Sequence, residues 1–234
     1  MAEEKGSVAL ITGASRGLGR ALARALAGHG WQIIVDARGP ELDALEQELR
    51  GRTRIVAIRG DVTDPAHREA LAAAARELGG LDLVVNNASE LGPSPLPPLL
   101  SYPLDELEAV FRANVVAPLG VLQAVQSALK PSARVINISS DAAVEPYEGW
   151  GGYGSSKAAL EQLSNVLAAE NPALRIYWID PGDMRTEMQQ AAFPGEDISD
   201  RAEPEQVVPG FLEIINGDLP SGRYSASTLV AEAV

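Results

Sequence analysis

The chain contains no cysteine, and only 5% of its 234 residues are aromatic. Without a thiol it can form neither a disulfide framework nor a thiolate metal site, and a cysteine nucleophile is excluded. Positive charge is also scarce: 19 Lys and Arg face 32 Asp and Glu, a formal net charge of -13. Such a surface repels a phosphate backbone or an anionic bilayer, which argues against nucleic acid and membrane as partners. Nothing approaches the roughly 18 uninterrupted apolar residues of a membrane span, and the opening MAEEKGSVALITG has neither the run nor the flanks of a signal peptide. The expectation is a cytoplasmic protein. At 46% hydrophobic, residues 1–234 can bury one full core as a single domain.

What is present is an alternation. Apolar runs of strand length at 7–12, 32–36, 54–59, 81–86, 134–139 and 174–179 alternate with segments of helical period at 19–28, 40–50, 65–78, 104–129 and 154–169. The strands read as nearly continuous apolar stretches (VALIT, RIVAI, LDLVV, RVINI), as expected when helices cover both faces of a parallel sheet. A last short strand at 222–226 gives about seven, in a doubly wound α/β fold. Two stretches break the pattern. Residues 89–103 hold Pro93, Pro95, Pro97, Pro98 and Pro103 and read as a stiff loop; residues 186–204 mix proline, glycine and acids. With 141–152 they form the loops expected around a ligand at the carboxyl ends of the strands.

The first strand runs into Thr12-Gly13-Ala14-Ser15-Arg16-Gly17-Leu18-Gly19 and then a helix. Glycines there permit a tight turn and bring backbone N–H groups at a helix N-terminus close to a pyrophosphate. The spacing alone is weak evidence; its position between first strand and first helix makes it a dinucleotide signal. The second strand ends in IIVDARG. An acid there suits the 2′-hydroxyl of NAD and an arginine the 2′-phosphate of NADP. Both occur, as Asp36 and Arg38. Arg38, just beyond the strand, is better placed for a phosphate and Arg16 can add a second charge, which favours NADP(H), with NAD(H) as the alternative.

Ser139-Ser140 close a later strand, and Tyr153-Gly154-Ser155-Ser156-Lys157 enter a helix. Tyr153 and Lys157, four apart, share one helix face. A phenol with a pKa of about 10 is a poor acid or base near neutrality unless a cation steadies the phenolate, and Lys157 can supply one. Ser140, thirteen residues upstream, can return across the loop to the same substrate oxygen. The chain has three lysines and five tyrosines, so chance pairing at this spacing with a serine at the fixed distance is rare. Neither histidine has a partner at metal-ligand spacing, and both read as surface residues beside helices.

With these residues the chain resembles the classical short-chain dehydrogenase/reductase family over essentially its whole length, through Thr12-Gly13-x-x-x-Gly17-x-Gly19, Asp61-Val62, Asn86-Asn87-Ala88, Asn114, Ser140, Tyr153-x-x-x-Lys157 and Pro181-Gly182-x-x-x-Thr186. The resemblance implies a Rossmann fold and hydride transfer between a nicotinamide and a carbonyl or secondary alcohol. Tyr153 would protonate the developing alkoxide, Ser140 would polarise the oxygen, and Lys157 would also bind the nicotinamide ribose. Asn114 would hold a water that links Lys157 to solvent. Asp61 and Val62 would hold adenine, Asn87 and Ala88 would line the adenine-ribose side, and Met184 (by its backbone) and Thr186 would bind the carboxamide, following Pro181 and Gly182. Arg16 and Arg38 match the basic positions of NADP-preferring members, with Ala37 where NAD-preferring members place their acid.

Departures from the family pattern are Ser89 in place of a glycine and Asp180 in place of Asn or Ala. The chain ends at Val234 without the usual longer tail, which leaves a homodimer through the helices at 104–129 and 154–169, or a homotetramer. Leu91, Tyr147, Trp150, Met188 and Phe193 would wall the substrate pocket, with Glu145, Glu148 and Glu187 nearby. That set suits an uncharged or lipophilic ketone better than a polyanion. The competing readings are an NAD-dependent alcohol dehydrogenase and a non-catalytic NADP(H) sensor.

Overall fold

The computed structural model describes residues 6–232. Its seven strands are β1 (Val8–Ile11), β2 (Gln32–Ala37), β3 (Ile55–Arg59), β4 (Leu81–Asn86), β5 (Leu129–Ile138), β6 (Arg175–Asp180) and β7 (Gly222–Ser225). They pair in parallel in the order β3-β2-β1-β4-β5-β6-β7. The chain starts in the middle of the sheet, builds outward to β3, then crosses back to β4 beside β1. At that reversal the connections leaving β1 and β4 part to opposite faces, which opens a crevice beyond their carboxyl ends.

Strand residues alternate between two cores. Ala9, Ile11, Ile33, Val35, Leu83 and Val85 face one side, covered by α1 (Gly17–Gly28), α2 (Glu41–Leu49) and α8 (Pro204–Asn216) through Leu22, Leu26, Leu45, Phe211 and Ile214. Val8, Leu10, Ile34, Val84 and Val135 face the other, covered by α3 (Pro65–Glu77) and α5 (Ala117–Val125) through Leu71, Ala75, Val121 and Val125. A sheet buried on both faces explains why the strands read as continuous apolar runs.

The segment from Leu104 to Ala128 is long and apolar enough to cross a membrane by length and composition. Its apolar stripe packs on the sheet. It is not one regular helix: α4 (Leu104–Phe111) passes through a π-helical turn, Arg112–Val116, before α5. That turn carries Asn114, almost completely buried. The next helix, α6 (Gly151–Glu170), begins three residues earlier than the sequence pattern suggests, so Tyr153 already lies inside it.

Three expectations change. The stretch 186–204 contains a short helix, α7 (Glu187–Ala192), started by Thr186, whose Oγ1 accepts the Gln189 N–H at 3.2 Å. The crossover from β6 to β7 also carries the helix α8, in a stretch where the sequence pattern marks no element. His67 is not on the surface: it lies in α3 at 7% exposure, on the stripe continued by Leu71, Ala75 and Leu78.

Candidate active site

The turn after β1 is fixed from two sides. Thr12 Oγ1 accepts the N–H groups of Asn87 and Ala88, each at 3.0 Å, and Asn87 Nδ2 donates to the carbonyls of Thr12 (2.8 Å) and Gly13 (3.0 Å). These bonds clamp the loops that leave β1 and β4. Gly13 has φ of +65°, and a Cβ there would lie 2.8 Å from Ala88 Cα, so only glycine fits. The Gly13 N–H donates to Asp36 Oδ1 at 2.7 Å, and the other carboxylate oxygen lies 2.9 Å from His67 Nε2. Burial pushes the Asp36 carboxyl above its usual range, against the pull of the His67 and Gly13 hydrogen bonds.

The helix α1 that follows has no capping side chain and no acid in its first turn. Its N-terminal N–H groups therefore remain free for an anion. Two guanidinium groups stand beside this end. Arg16 pairs with Glu187 of α7, and Arg38 lies 2.6 Å from Glu90 and 4.0 Å from Asp61. All four of the closely paired side chains are more than a third exposed, so a stronger anion can replace either carboxylate.

The other end of the crevice is built on β5 and α6. Gly154 lets α6 press on the turn after Ser140: a Cβ there would lie 2.5 Å from the Ala142 carbonyl oxygen. This packing sets Tyr153 and Lys157 against the end of β5. Lys157 is 2% exposed; its Nζ donates to the Ile138 carbonyl at 2.8 Å and lies 5.3 Å from the centre of the Tyr153 ring. Burial lowers the Lys157 ammonium to about 7. Burial also raises the Tyr153 phenol well above its ordinary value. Ser140 Oγ donates to Asp141 Oδ1 at 3.0 Å and accepts the Ala142 N–H at 3.1 Å, so its proton is turned away from Tyr153.

Asn114 is fully engaged. Its Oδ1 accepts from the Ser89 hydroxyl (3.0 Å) and the Glu90 N–H (2.8 Å), and its Nδ2 donates to the Glu90 carbonyl (2.8 Å) and Ser156 Oγ (2.9 Å). Both lone pairs and both protons of the amide are thus used within the protein, which leaves the side chain no free group for the water expected there.

A cleft of about 1060 Å³ joins the two ends. Gly13, Ser15, Arg16, Gly17, Leu18, Arg38, Val62, Asn87 and Ala88 line it on one side, and Ser140, Tyr153, Lys157, Pro181, Gly182, Met184 and Thr186 on the other. Three of the expected residues stand outside it. Gly19 is packed within α1 against Asn87, Asn114 lies beneath the floor, and Asp61 opens onto a neighbouring hollow shared with Arg38 and Glu90. Leu91, Tyr147, Glu148, Trp150, Glu187, Met188 and Phe193 line the cleft as expected, whereas Glu145 does not. Trp150 packs edge-on to Tyr153 (5.8 Å between centroids) and tilted on Phe193 (5.9 Å), which forms an aromatic wall beside the phenol.

Reading by motif missed Glu90, Asp141 and the Asp36–His67 pair. His67 had a signal: its helical period with Leu71, Ala75 and Leu78 marks a buried face. Glu90 and Asp141 had none beyond adjacency to motif residues.

Residues 7–197 match the family model described as short chain dehydrogenase. Among curated proteins, the chain is 38% identical over 202 residues to mouse (Mus musculus) sepiapterin reductase, covering 80% of this chain and 77% of that one. It is 35% identical over 219 residues to the Saccharomyces cerevisiae benzil reductase ((S)-benzoin forming), covering 89% and 81%. Among solved structures, a short chain dehydrogenase from Burkholderia cenocepacia in complex with NADP superposes with a TM-score of 0.84 at 25% identity, covering 94% of this chain and 96% of that one.

Proposed function

The chain belongs to the short chain dehydrogenase family, as an oxidoreductase of the CH–OH/carbonyl class, and we propose that it is an NADP(H)-dependent reductase of uncharged, aromatic or lipophilic carbonyls. The carrying observation is the single cleft, with the uncapped end of α1 and two arginines at one end and Tyr153, Lys157 and Ser140 at the other. A complex of a relative with NADP supports the cofactor choice. So does the inward engagement of Asp36, which removes the acid an NAD ribose would use. The aromatic wall of Trp150 and Phe193 supports the substrate class, as do relatives named for reducing benzil and sepiapterin.

The residues fit the cofactor. Ser15, Gly17 and Leu18 would take its pyrophosphate on backbone N–H groups, with Gly13, whose N–H is held by Asp36, shaping the turn; Arg16 and Arg38 would take the 2′-phosphate after exchanging Glu187 and Glu90. Val62, Asn87 and Ala88 would flank the adenosine, while Lys157, Pro181, Gly182, Met184 and Thr186 would hold the nicotinamide end. When bound, the nicotinamide supplies or accepts the hydride. Tyr153 gives its proton to the substrate oxygen in reduction, or takes it in oxidation. Lys157, 5.3 Å from the centre of the Tyr153 ring, sets a positive charge close to the phenolate when it carries its proton. Ser140 donates to the substrate oxygen once its hydroxyl leaves Asp141.

We place the protein in the cytoplasm as one catalytic domain. Self-association, as a homodimer or homotetramer, would use the outer faces of α4 and α6, where Leu104 and Val166 are exposed.

Separate titrations with NADPH and NADH, followed by nicotinamide absorbance with benzil and a panel of aromatic ketones and aldehydes, test this reading. NADPH should bind at least about tenfold tighter and be oxidised by a member of the panel. Equal affinity for the two cofactors would overturn the NADP assignment. Tight binding with every carbonyl left intact would favour a sensor.

A further inference from the structure

Asp141 follows Ser140 directly and lines the cleft on a turn that holds it in place. Its backbone carbonyl accepts the N–H groups of Val144 and Glu145, each at 2.9 Å, and α6 presses on the neighbouring Ala142 carbonyl through Gly154. Two hydroxyls meet the carboxylate: Ser140 donates to Oδ1 at 3.0 Å and Tyr147 to Oδ2 at 2.9 Å. Among the described residues no arginine or lysine pairs with it. Arg223, whose guanidinium donates to the Ser140 carbonyl at 3.3 Å, is paired with Glu161 and Asp180 instead.

Catalysis changes this balance. Ser140 has one proton, and giving it to a substrate oxygen takes it away from Asp141 Oδ1. Tyr147 stays on Oδ2, so one oxygen of the carboxylate is left open while the substrate fills the cleft and displaces water. An acceptor stranded in this way is costly, and a substrate that brings its own donor removes the cost. Distance decides where that donor must sit. Ser140 Oγ would lie about 2.7 Å from the substrate oxygen, and it lies 3.0 Å from Asp141 Oδ1. The open oxygen therefore serves groups on the carbon beside the carbonyl, not remote ones. A carboxylate in the same place would meet Asp141 as a like charge with no cation to offset it.

We propose that Asp141 is a specificity-determining residue, which selects carbonyl substrates carrying a hydroxyl or N–H donor beside the carbonyl carbon and rejects those carrying a carboxylate there. The inference rests on the reading of Ser140 as the donor to the substrate oxygen. The exchange moves hydrogen bonds and no covalent bond. Ser140 passes from Asp141 to the substrate oxygen, and the substrate's donor takes its place on Asp141 Oδ1.

Two pairs of probes test this with the full chain and NADPH. α-Hydroxyacetophenone and α-methoxyacetophenone differ by the donor; methyl phenylglyoxylate and phenylglyoxylate differ by the charge. In the wild type, kcat/KM should favour the first member of each pair by about tenfold or more. Asp141→Asn keeps the shape and an oxygen acceptor but removes the charge. Both ratios should fall in it to within about threefold, with NADPH affinity within about twofold of wild type. Asp141→Ala serves as the second variant if the asparagine disturbs the turn. Dissociation constants of the same four compounds from the NADP+-saturated chain, read by tryptophan fluorescence, give the ratios without turnover. Ratios near one in the wild type, or the same in the wild type and both variants, would overturn the role of Asp141. Binding ratios that collapse in Asp141→Asn, beside NADPH left unoxidised by every carbonyl, would sink the reductase reading and leave the selection by Asp141 standing.

Discussion

Nε2 of His67 lies 2.9 Å from Oδ2 of Asp36, while Oδ1 of the same carboxylate receives the Gly13 N–H at 2.7 Å. Both side chains are buried, so the acid at the end of β2 is engaged beneath the glycine turn rather than offered to a ribose. Asp36→Ala should therefore act through the turn. It should destabilise the fold by about 2–4 kcal/mol, because it orphans a buried histidine and removes the acceptor of the Gly13 N–H. It should also weaken NADPH and NADH by the same factor. Urea denaturation and paired cofactor titrations check this; a changed preference between the two cofactors would place Asp36 at the ribose.

Arg38 makes the opposite prediction. Arg38→Ala should weaken NADPH about tenfold or more and NADH less than about threefold, since a charge-assisted contact to the 2′-phosphate serves only the first. Glu90, 2.6 Å from Arg38, competes for the same guanidinium. Glu90→Gln should tighten NADPH about two- to threefold at low salt, and the gain should fade as ionic strength rises, because the pair is partly exposed. Equal effects on both cofactors in Arg38→Ala would argue against a phosphate contact.

Tyr153→Phe removes one oxygen and leaves the aromatic wall with Trp150 intact. Turnover should fall at least about a hundredfold with NADPH affinity within a few fold. Stopped-assay kinetics with a carbonyl that the wild type reduces are sufficient, and a residual rate within tenfold of wild type would exclude the phenol as the proton donor.

Lys157 carries a stability signature. Burial lowers it to about 7, from 10.5 in an unperturbed lysine. Between those values the unfolded chain holds the proton and the folded chain does not, so the group costs more stability as pH falls through that window, with the full cost reached below about 7. Lys157→Met keeps the length and removes the charge. Its gain in Tm over wild type should be larger at pH 6 than at pH 9. A gain independent of pH would mean that the ammonium remains solvated in the fold.

Much of this molecule was legible in the chain. Strands without polar alternation require a sheet covered on both faces, and helices of 3.6 period between them supply the cover; both signals come from neighbours in sequence. Tyr153 and Lys157 share a face because four residues nearly complete a helical turn, and the glycines after β1 permit the turn wherever the rest of the chain goes. Pairings between distant residues were decided by tertiary structure. Arg16 meets Glu187 across 171 positions, Ser89 meets Asn114 across 25, and Asp36 meets His67 across 31. Such contacts depend on how separate elements are stacked and turned. A carboxylate at a strand end can face a ribose or a buried imidazole, and a serine beside a catalytic motif can send its proton to Tyr153 or to an aspartate. The residue types are the same in each case, and only the packing of α3, of the π-helical turn and of α7 against the sheet selects between them.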